Sequence, residues 1–226
     1  MNQLLKTLVI AFAGLSVSAC AVTGGVSSAR GTHVQYSDTA SNIKTDIHYL
    51  IHPDLVRIDY GSTGNYTLFD RKTQTIYDIN VKTKSVREIS GVAPVYTPEE
   101  LGVTISSQAS KLASNGSSTL YRFVKGDQAC YSVVVLDTFL PTVDEALVEI
   151  SAVRAADPRV AEMDKNSCEF IKIHLVDRLA PTYGTPARQW SSYGFSRFLE
   201  DFSTQLDLTE NTEWYKFPDW YKPKRK

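Results

Sequence analysis

Apolar and polar residues exchange places with a period of two across residues 32–90. Ile47, Tyr49 and Ile51 alternate with His48, Leu50 and His52, and Val56, Ile58 and Tyr60 alternate with Arg57 and Asp59. That period sends successive side chains to opposite faces of an extended strand. Polar breaks separate the runs at His52-Pro53-Asp54 and at residues 61–65, 70–74 and 80–84. These breaks are rich in the Gly, Pro, Asn and Asp that turns favour. Further strands follow at 66–69, 75–79 and 85–89. The expectation is an antiparallel meander with one face buried and one wet.

Beyond residue 96 the pattern changes. Thr97-Pro98-Glu99-Glu100 has the chemistry of a helix start, with Thr97 as cap, Pro98 at the first helical position and Glu100 closing a capping box. Gly102 limits that helix to a turn or two. Residues 106–118 are small and polar and predict a loop or edge, while 119–124 and 129–136 predict a hairpin around Lys125-Gly126-Asp127. Leu140, Val143, Ala146, Leu147, Ile150 and Val153 fall on one helical face, so a helix is expected over 141–156, ended by Asp157-Pro158.

Asn166-Ser167-Cys168-Glu169 reads as a second capped start. Ile171, Leu175, Leu179 and Tyr183 follow at spacing four, with Gly184 and Pro186 as the stop. A strand over 170–176 competes with this helix, because Lys172 and His174 alternate with apolar neighbours. Residues 187–193 and 195–206 predict a closing hairpin around Gly194. A helical face of Phe195, Phe198, Leu199 and Phe202 is the rival there. The aromatic run 214–221 is expected to pack as a lid over the edge of the core.

The amino terminus changes the picture most. Lys6 and the free amine precede a short apolar stretch, residues 8–15, and then Val17-Ser18-Ala19-Cys20. A membrane span needs roughly 20 apolar residues, and this run is shorter and followed by Ser16 and Ser18. Small residues ahead of a cysteine suit a signal peptidase, and the thiol is the atom that diacylglycerol transfer alkylates. The segment resembles the bacterial lipoprotein signal, with Val17 where Leu is usual. Residues 1–19 are therefore expected to be a signal peptide, Cys20 the lipidation site, and 20–31 a lipidated flexible tether rich in small residues. Residues 32–221 form one α+β domain and 222–226 a basic tail. Ala21 rather than Asp follows the cysteine, which in that family implies the outer membrane, facing the periplasm. Two or three acyl chains, at about 0.8 kcal/mol per buried CH₂, hold a protein firmly on a bilayer.

Composition adds limits. The chain has 226 residues, 42% of them apolar, and a formal net charge of −1. That suits a globular domain with its own core and gives no electrostatic case for a nucleic-acid partner. Once Cys20 is assigned to lipid, Cys130 and Cys168 remain. In an oxidising compartment they are expected to form a disulfide.

Two stretches carry a family resemblance: residues 49–60 (YLIHPDLVRIDY) with 64–77 (GNYTLFDRKTQTIY), and the ending 214–221 (WYKFPDWY). The chain resembles exported proteobacterial proteins with domains of the DUF4412 type, which are similar to the half-barrel of the lipoprotein carriers LolA and LolB. The resemblance implies a curved antiparallel sheet with helices against its concave face. In LolA and LolB that concavity holds acyl chains. It carries no ligand-binding residue onto this sequence.

Motifs of catalysis are not apparent. His33, His48, His52 and His174 lie in no zinc-binding spacing. No Gly-x-Ser-x-Gly elbow or phosphate loop appears. No catalytic residue, metal ligand or cofactor is assigned. Twelve tyrosines suggest half-buried sheet packing, or a tyrosine-lined groove open to a ligand. The expected function is a non-enzymatic envelope lipoprotein. It would be held on the membrane by its anchor and would bind a lipid or acyl chain or an envelope protein. A structural or assembly factor of the envelope is the alternative, and an enzyme with an unrecognised site the third.

Overall fold

The computed structural model describes residues 30–111, 117–207 and 215–222. Six strands run as the expected meander: β1 (Arg30–Ala40), β2 (Ile43–Ile51), β3 (Leu55–Tyr60), β4 (Tyr66–Asp70), β5 (Thr75–Asn80) and β6 (Ser85–Ser90). Three more follow, β7 (Val103–Ser110), β8 (Ser118–Lys125) and β9 (Gln128–Leu136). Helices α1 (Pro141–Arg154), α2 (Pro158–Ala161) and α3 (Cys168–Ile171) come next. A π turn (Lys172–Val176) joins α3 to α4 (Asp177–Tyr183). The hairpin β10 (Thr185–Ser191) and β11 (Ser196–Asp207) closes the chain.

All eleven strands form one open, curved sheet in the order β6-β5-β4-β3-β2-β1-β11-β10-β9-β8-β7. Every neighbouring pair is antiparallel. The period of two becomes register. Ile51, Val56, Phe69, Ile76 and Ile89 stand opposite one another across five strands, and each is at most 2% exposed. The apolar face of α1 joins the same buried cluster through Leu140, Val143, Ala146, Ile150 and Val153. Each such leucine, valine or isoleucine side chain contributes roughly 1.5–3 kcal/mol when fully buried, against tenths for an exposed ion pair. Apolar contact therefore seats α1 on the sheet. A second cluster joins Phe123, Tyr131, Val133 and Val135 of β8 and β9 to Phe170, Ile171 and Leu175.

Several local expectations are revised. Arg30 and Gly31 belong to β1, paired with Asp207 and Leu206, and not to a tether. The capping box forms, Thr97 N donating to Glu100 Oε2 at 2.7 Å and Glu100 N to Thr97 Oγ1 at 3.2 Å. Only a turn follows it, because Gly102 at φ 62° redirects the backbone into β7. The small polar residues after 106 extend β7, an edge strand whose solvated side chains suit an edge. Residues 170–176 are helical. His174 is buried there against the rings of Phe170 and Tyr96, so its polarity gives no strand alternation. The closing hairpin is present, and the helical rival at 195–202 is not. Gly184 ends α4 where a Cβ would lie 2.5 Å from the Leu136 carbonyl oxygen, so only glycine fits.

The aromatic terminus lies on the sheet face away from α1. Phe217 meets the Tyr77 ring edge-on at 4.9 Å, and the Tyr66 hydroxyl donates to the Lys216 carbonyl at 3.2 Å. Among the described residues no helix is long and apolar enough to cross a membrane.

Cys130 of β9 and Cys168 at the start of α3 are disulfide-bonded, with Cα atoms 5.1 Å apart. The bond fastens the helical segment to the sheet and closes a loop of 38 residues. Chain-entropy arithmetic gives about 4 kcal/mol for such a loop. Replacing both cysteines by alanine should lower the urea unfolding free energy by about that amount, on the same estimate. An unchanged midpoint would show that the bond does not constrain the unfolded chain.

Candidate functional site

A hollow of about 230 Å³ lies between the α1-facing side of the sheet and the helices. Tyr36, Tyr49, Ile58 and Tyr60 form its floor on one side, and Gln189 and Arg197 continue the floor across the sheet. Leu147, Ile150 and Arg154 of α1 cover it, together with Ile173 and Val176 of the π turn and Ala180 of α4. The floor follows from strand period: Tyr36 stands opposite Ile47, and Ile47 opposite Tyr60. Register shifts at Gln35/Tyr36 and Pro186/Arg188 interrupt the ladders beside the hollow. Such bulges re-aim side chains. The π turn widens the covering helix at the same place, and π turns of this kind recur at functional sites.

The lining is mostly apolar, and its charged groups are paired. Arg197 donates to both oxygens of Asp38, at 2.7 Å each. Arg154 donates to Asp78 at 2.6 and 2.9 Å, and Lys172 to Asp177 at 2.7 Å. Burial raises Asp78, but its bonds to Arg154, Arg87 and Thr67 outweigh that and hold its carboxyl below the usual range. Burial pushes the phenols of Tyr36, Tyr49 and Tyr60 upward, so all three are neutral hydroxyls at physiological pH. The Tyr36 hydroxyl donates to the Pro186 carbonyl at 3.1 Å, and that of Tyr60 shares a hydrogen with Thr67 Oγ1 at 3.1 Å.

Gln189 is different. It is 4% exposed and lines the hollow, and its Nε2 has no hydrogen-bond partner. Its neighbours in register are Val133 and Arg197.

The residues singled out from the sequence lie elsewhere. Cys20 falls outside the described residues. The Cys130–Cys168 bond belongs to the second core cluster. His33 and His48 stack on each other with ring nitrogens 3.1 Å apart, in a separate surface pocket with Leu50, Arg57 and Asp59. His52 Nδ1 accepts from the Asp54 amide. Among the described residues no group of three or more His, Cys, Asp or Glu could hold a metal ion. No histidine lines the hollow. A wider groove of about 720 Å³ borders Pro141 and Thr142. Arg71 crosses it, bonded to Glu149 at 2.7 Å and near Glu145 at 3.3 Å, so its strongest polar groups are already engaged.

Gln189, Arg197 and the π turn were not marked by the sequence. Their one signal is Gln189 itself, a polar side chain at an inward strand position between Ala187 and Ser191. That signal can be read only once the register of β10 is known.

No family model matches the chain, and no curated protein matches it. Among solved structures, PNGF-II in the P21 space group aligns with a TM-score of 0.39 and 7% identity, over 80% of this chain and 30% of that one. PNGF-II in the C2 space group gives 0.33 and 7%, over 83% and 30%. The chain thus spans about 30% of the length of these structures, and likenesses this distant carry no argument.

One carboxylate in the first turn of α1 is incompletely matched. Asp144 Oδ2 accepts from Thr185 Oγ1 at 3.0 Å, while Oδ1 is buried without a partner. Burial raises this carboxyl to about 6, against the opposing Thr185 bond. A raised carboxyl favours folding in its protonated form. That contribution is complete below the unfolded value of 3.8 and is lost as pH rises through about 6. Asp144→Asn should therefore raise the melting temperature by a few degrees above neutral pH. It should leave the temperature unchanged in strong acid, as read by thermal scans across that range. A gain of equal size at every pH would contradict this origin.

Proposed function

We propose that this chain is an exported envelope protein, lipid-anchored through Cys20 to the outer membrane and facing the periplasm. It binds an apolar ligand or an apolar group of a partner protein and does not transform it. In this reading the curved sheet is a half-barrel of the LolA and LolB kind, and the helices sit in its concavity. The observation that carries the reading is the hollow. It is walled by tyrosine and aliphatic side chains, and its cations are paired. The disulfide supports export, since such bonds persist in oxidising compartments.

Size narrows the ligand. Pockets for drug-sized molecules span roughly 300–1,000 Å³, and this one measures about 230 Å³. It takes the compact end of a ligand, not the full length of a long acyl chain. The assembly-factor reading is favoured by one other feature. Phe139 and Phe202 meet edge-to-face at 4.9 Å and remain 41% and 42% exposed. An exposed apolar pair of that kind suits contact with another protein.

Two measurements test the proposal. Cys20→Ser should move the protein from the membrane fraction to the soluble periplasmic fraction. Fractionation unchanged by that substitution would end the anchored reading. Native mass spectrometry of the purified protein should find a bound small molecule. Leu147→Trp at the half-buried rim should abolish it, and a species of bare protein mass in both would end the ligand-binding reading.

A further inference from the structure

A second pocket, of about 640 Å³, adjoins the hollow, and Tyr60 and Arg154 line both. Strand register ties them together further. Ile58, Thr67, Asp78 and Arg87 stand opposite one another across β3 to β6. Ile58 lines the hollow, and the other three line the second pocket. The row therefore passes from hydrocarbon to charge along one face of the sheet.

Three arginines gather at its charged end. Arg154 donates to both oxygens of Asp78, Arg87 bridges Asp78 and Asp157, and Arg159 donates to Asp157 at 3.0 Å. Each guanidinium meets a carboxylate, yet three share two, so one positive charge is left over (three minus two). That excess can be reached from solvent, since the Arg159 and Arg87 side chains are 67% and 35% exposed. Arg159 bonds through Nε and Nη2 and leaves Nη1 unengaged among the described residues. Exposed Lys82 and Lys84 add the same sign in the turn between Asn80 and Ser85, which both border the pocket. Glu88 stands opposite Tyr77, on the other face of the sheet from Arg87.

We propose that this pocket takes the anionic head, a carboxylate or a phosphate, of an amphiphile whose hydrocarbon end enters the hollow. The inference rests on the reading of the hollow as a binding site and names the other end of the ligand. An anion neutralises the excess charge, whereas a neutral head leaves it and a cationic head is repelled. The guanidinium fork matches the oxygens of carboxylate and phosphate alike. The hollow holds only the end of a chain, and the shared wall of Tyr60 and Arg154 is where that chain passes toward the pocket.

The test uses the full chain in non-ionic detergent, isotopically labelled for NMR of the arginine Nε–H groups and the tyrosine rings. Arg159→Gln, Tyr36→Phe and Tyr49→Phe assign the signals. The probes are octanoate, octyl phosphate, octanol and inorganic phosphate, each affinity corrected for partition into detergent measured without protein. Octanoate and octyl phosphate should shift the Arg159 Nε–H and the Tyr36 and Tyr49 rings together and saturably. The better anion should bind about tenfold tighter than octanol, the worth of one charge-assisted hydrogen bond, and added salt should narrow that gap. Whichever of the two anions binds tighter names the head. Arg159→Gln removes the excess charge and leaves each carboxylate a cation. It should weaken the anions about tenfold, on the same estimate, and leave octanol unchanged.

Octanol binding as tightly as the anions, or anion affinity unchanged in Arg159→Gln, would overturn the anionic head and leave the hollow as a binding site. Inorganic phosphate binding as tightly as octyl phosphate would make this a site for free anions and overturn the amphiphile. Anion shifts at Arg159 with unmoved tyrosine rings would overturn the link between pocket and hollow. No shift of any signal with any probe would overturn both this inference and the reading on which it rests. The contrast of anions with octanol in the unaltered chain, and its salt dependence, decide the matter even if the glutamine variant does not fold.

Discussion

The pairing of β1 with β11 is the constraint on which the rest of the molecule depends. These strands lie far apart in sequence, yet they run side by side from Arg30 opposite Asp207 to Thr39 opposite Ser196. Without that seam there would be two separate sheets, β1–β6 and β7–β11, each with an open edge of unpaired backbone groups. Exposed strand edges invite association with other chains. Asp38 and Arg197 face each other across the seam and bond through both carboxylate oxygens. The Tyr36 hydroxyl reaches further, to the Pro186 carbonyl of β10. The seam also creates the hollow, whose floor combines Tyr36 and Tyr49 from one side with Arg197 and Gln189 from the other.

The energetic roles divide cleanly. Aliphatic and aromatic burial in two clusters holds the helices on the sheet. The ion pairs do a different task. Removing one partner of a buried pair is far more destabilising than the pair is stabilising, so Arg154–Asp78 and Arg197–Asp38 fix geometry more than they add stability. By consuming one another's charge they leave a pocket that is mostly apolar and carries no unpaired cation. Gln189 stands out against that background: among the described residues it is the one lining residue with a buried polar atom left unpaired.

What the sequence disclosed follows the range of the interactions. The meander was legible because strand alternation and turn chemistry are local, and β2 to β6 fall where the period places them. Helix α1 was legible because its apolar face repeats at helical spacing, and Val143, Ala146, Ile150 and Val153 are all buried. The Cys130–Cys168 bond came from counting thiols. The β1–β11 seam was not legible, since a pairing across most of the chain leaves no local mark on either strand. The π turn was hidden for a related reason. Ile171, Leu175 and Leu179 repeat at spacing four whether or not an extra residue is accommodated between α3 and α4. The inward place of Gln189 was hidden because inward and outward polar residues look alike until register is known.

The most direct measurement is a high-resolution structure of the protein purified from its own membranes without added ligand. Continuous density in the hollow, larger than water, with hydrocarbon against Ile58 and Leu147 is the expected result. A hollow holding only ordered waters, or closed by collapse of α4 onto Tyr49, would contradict it.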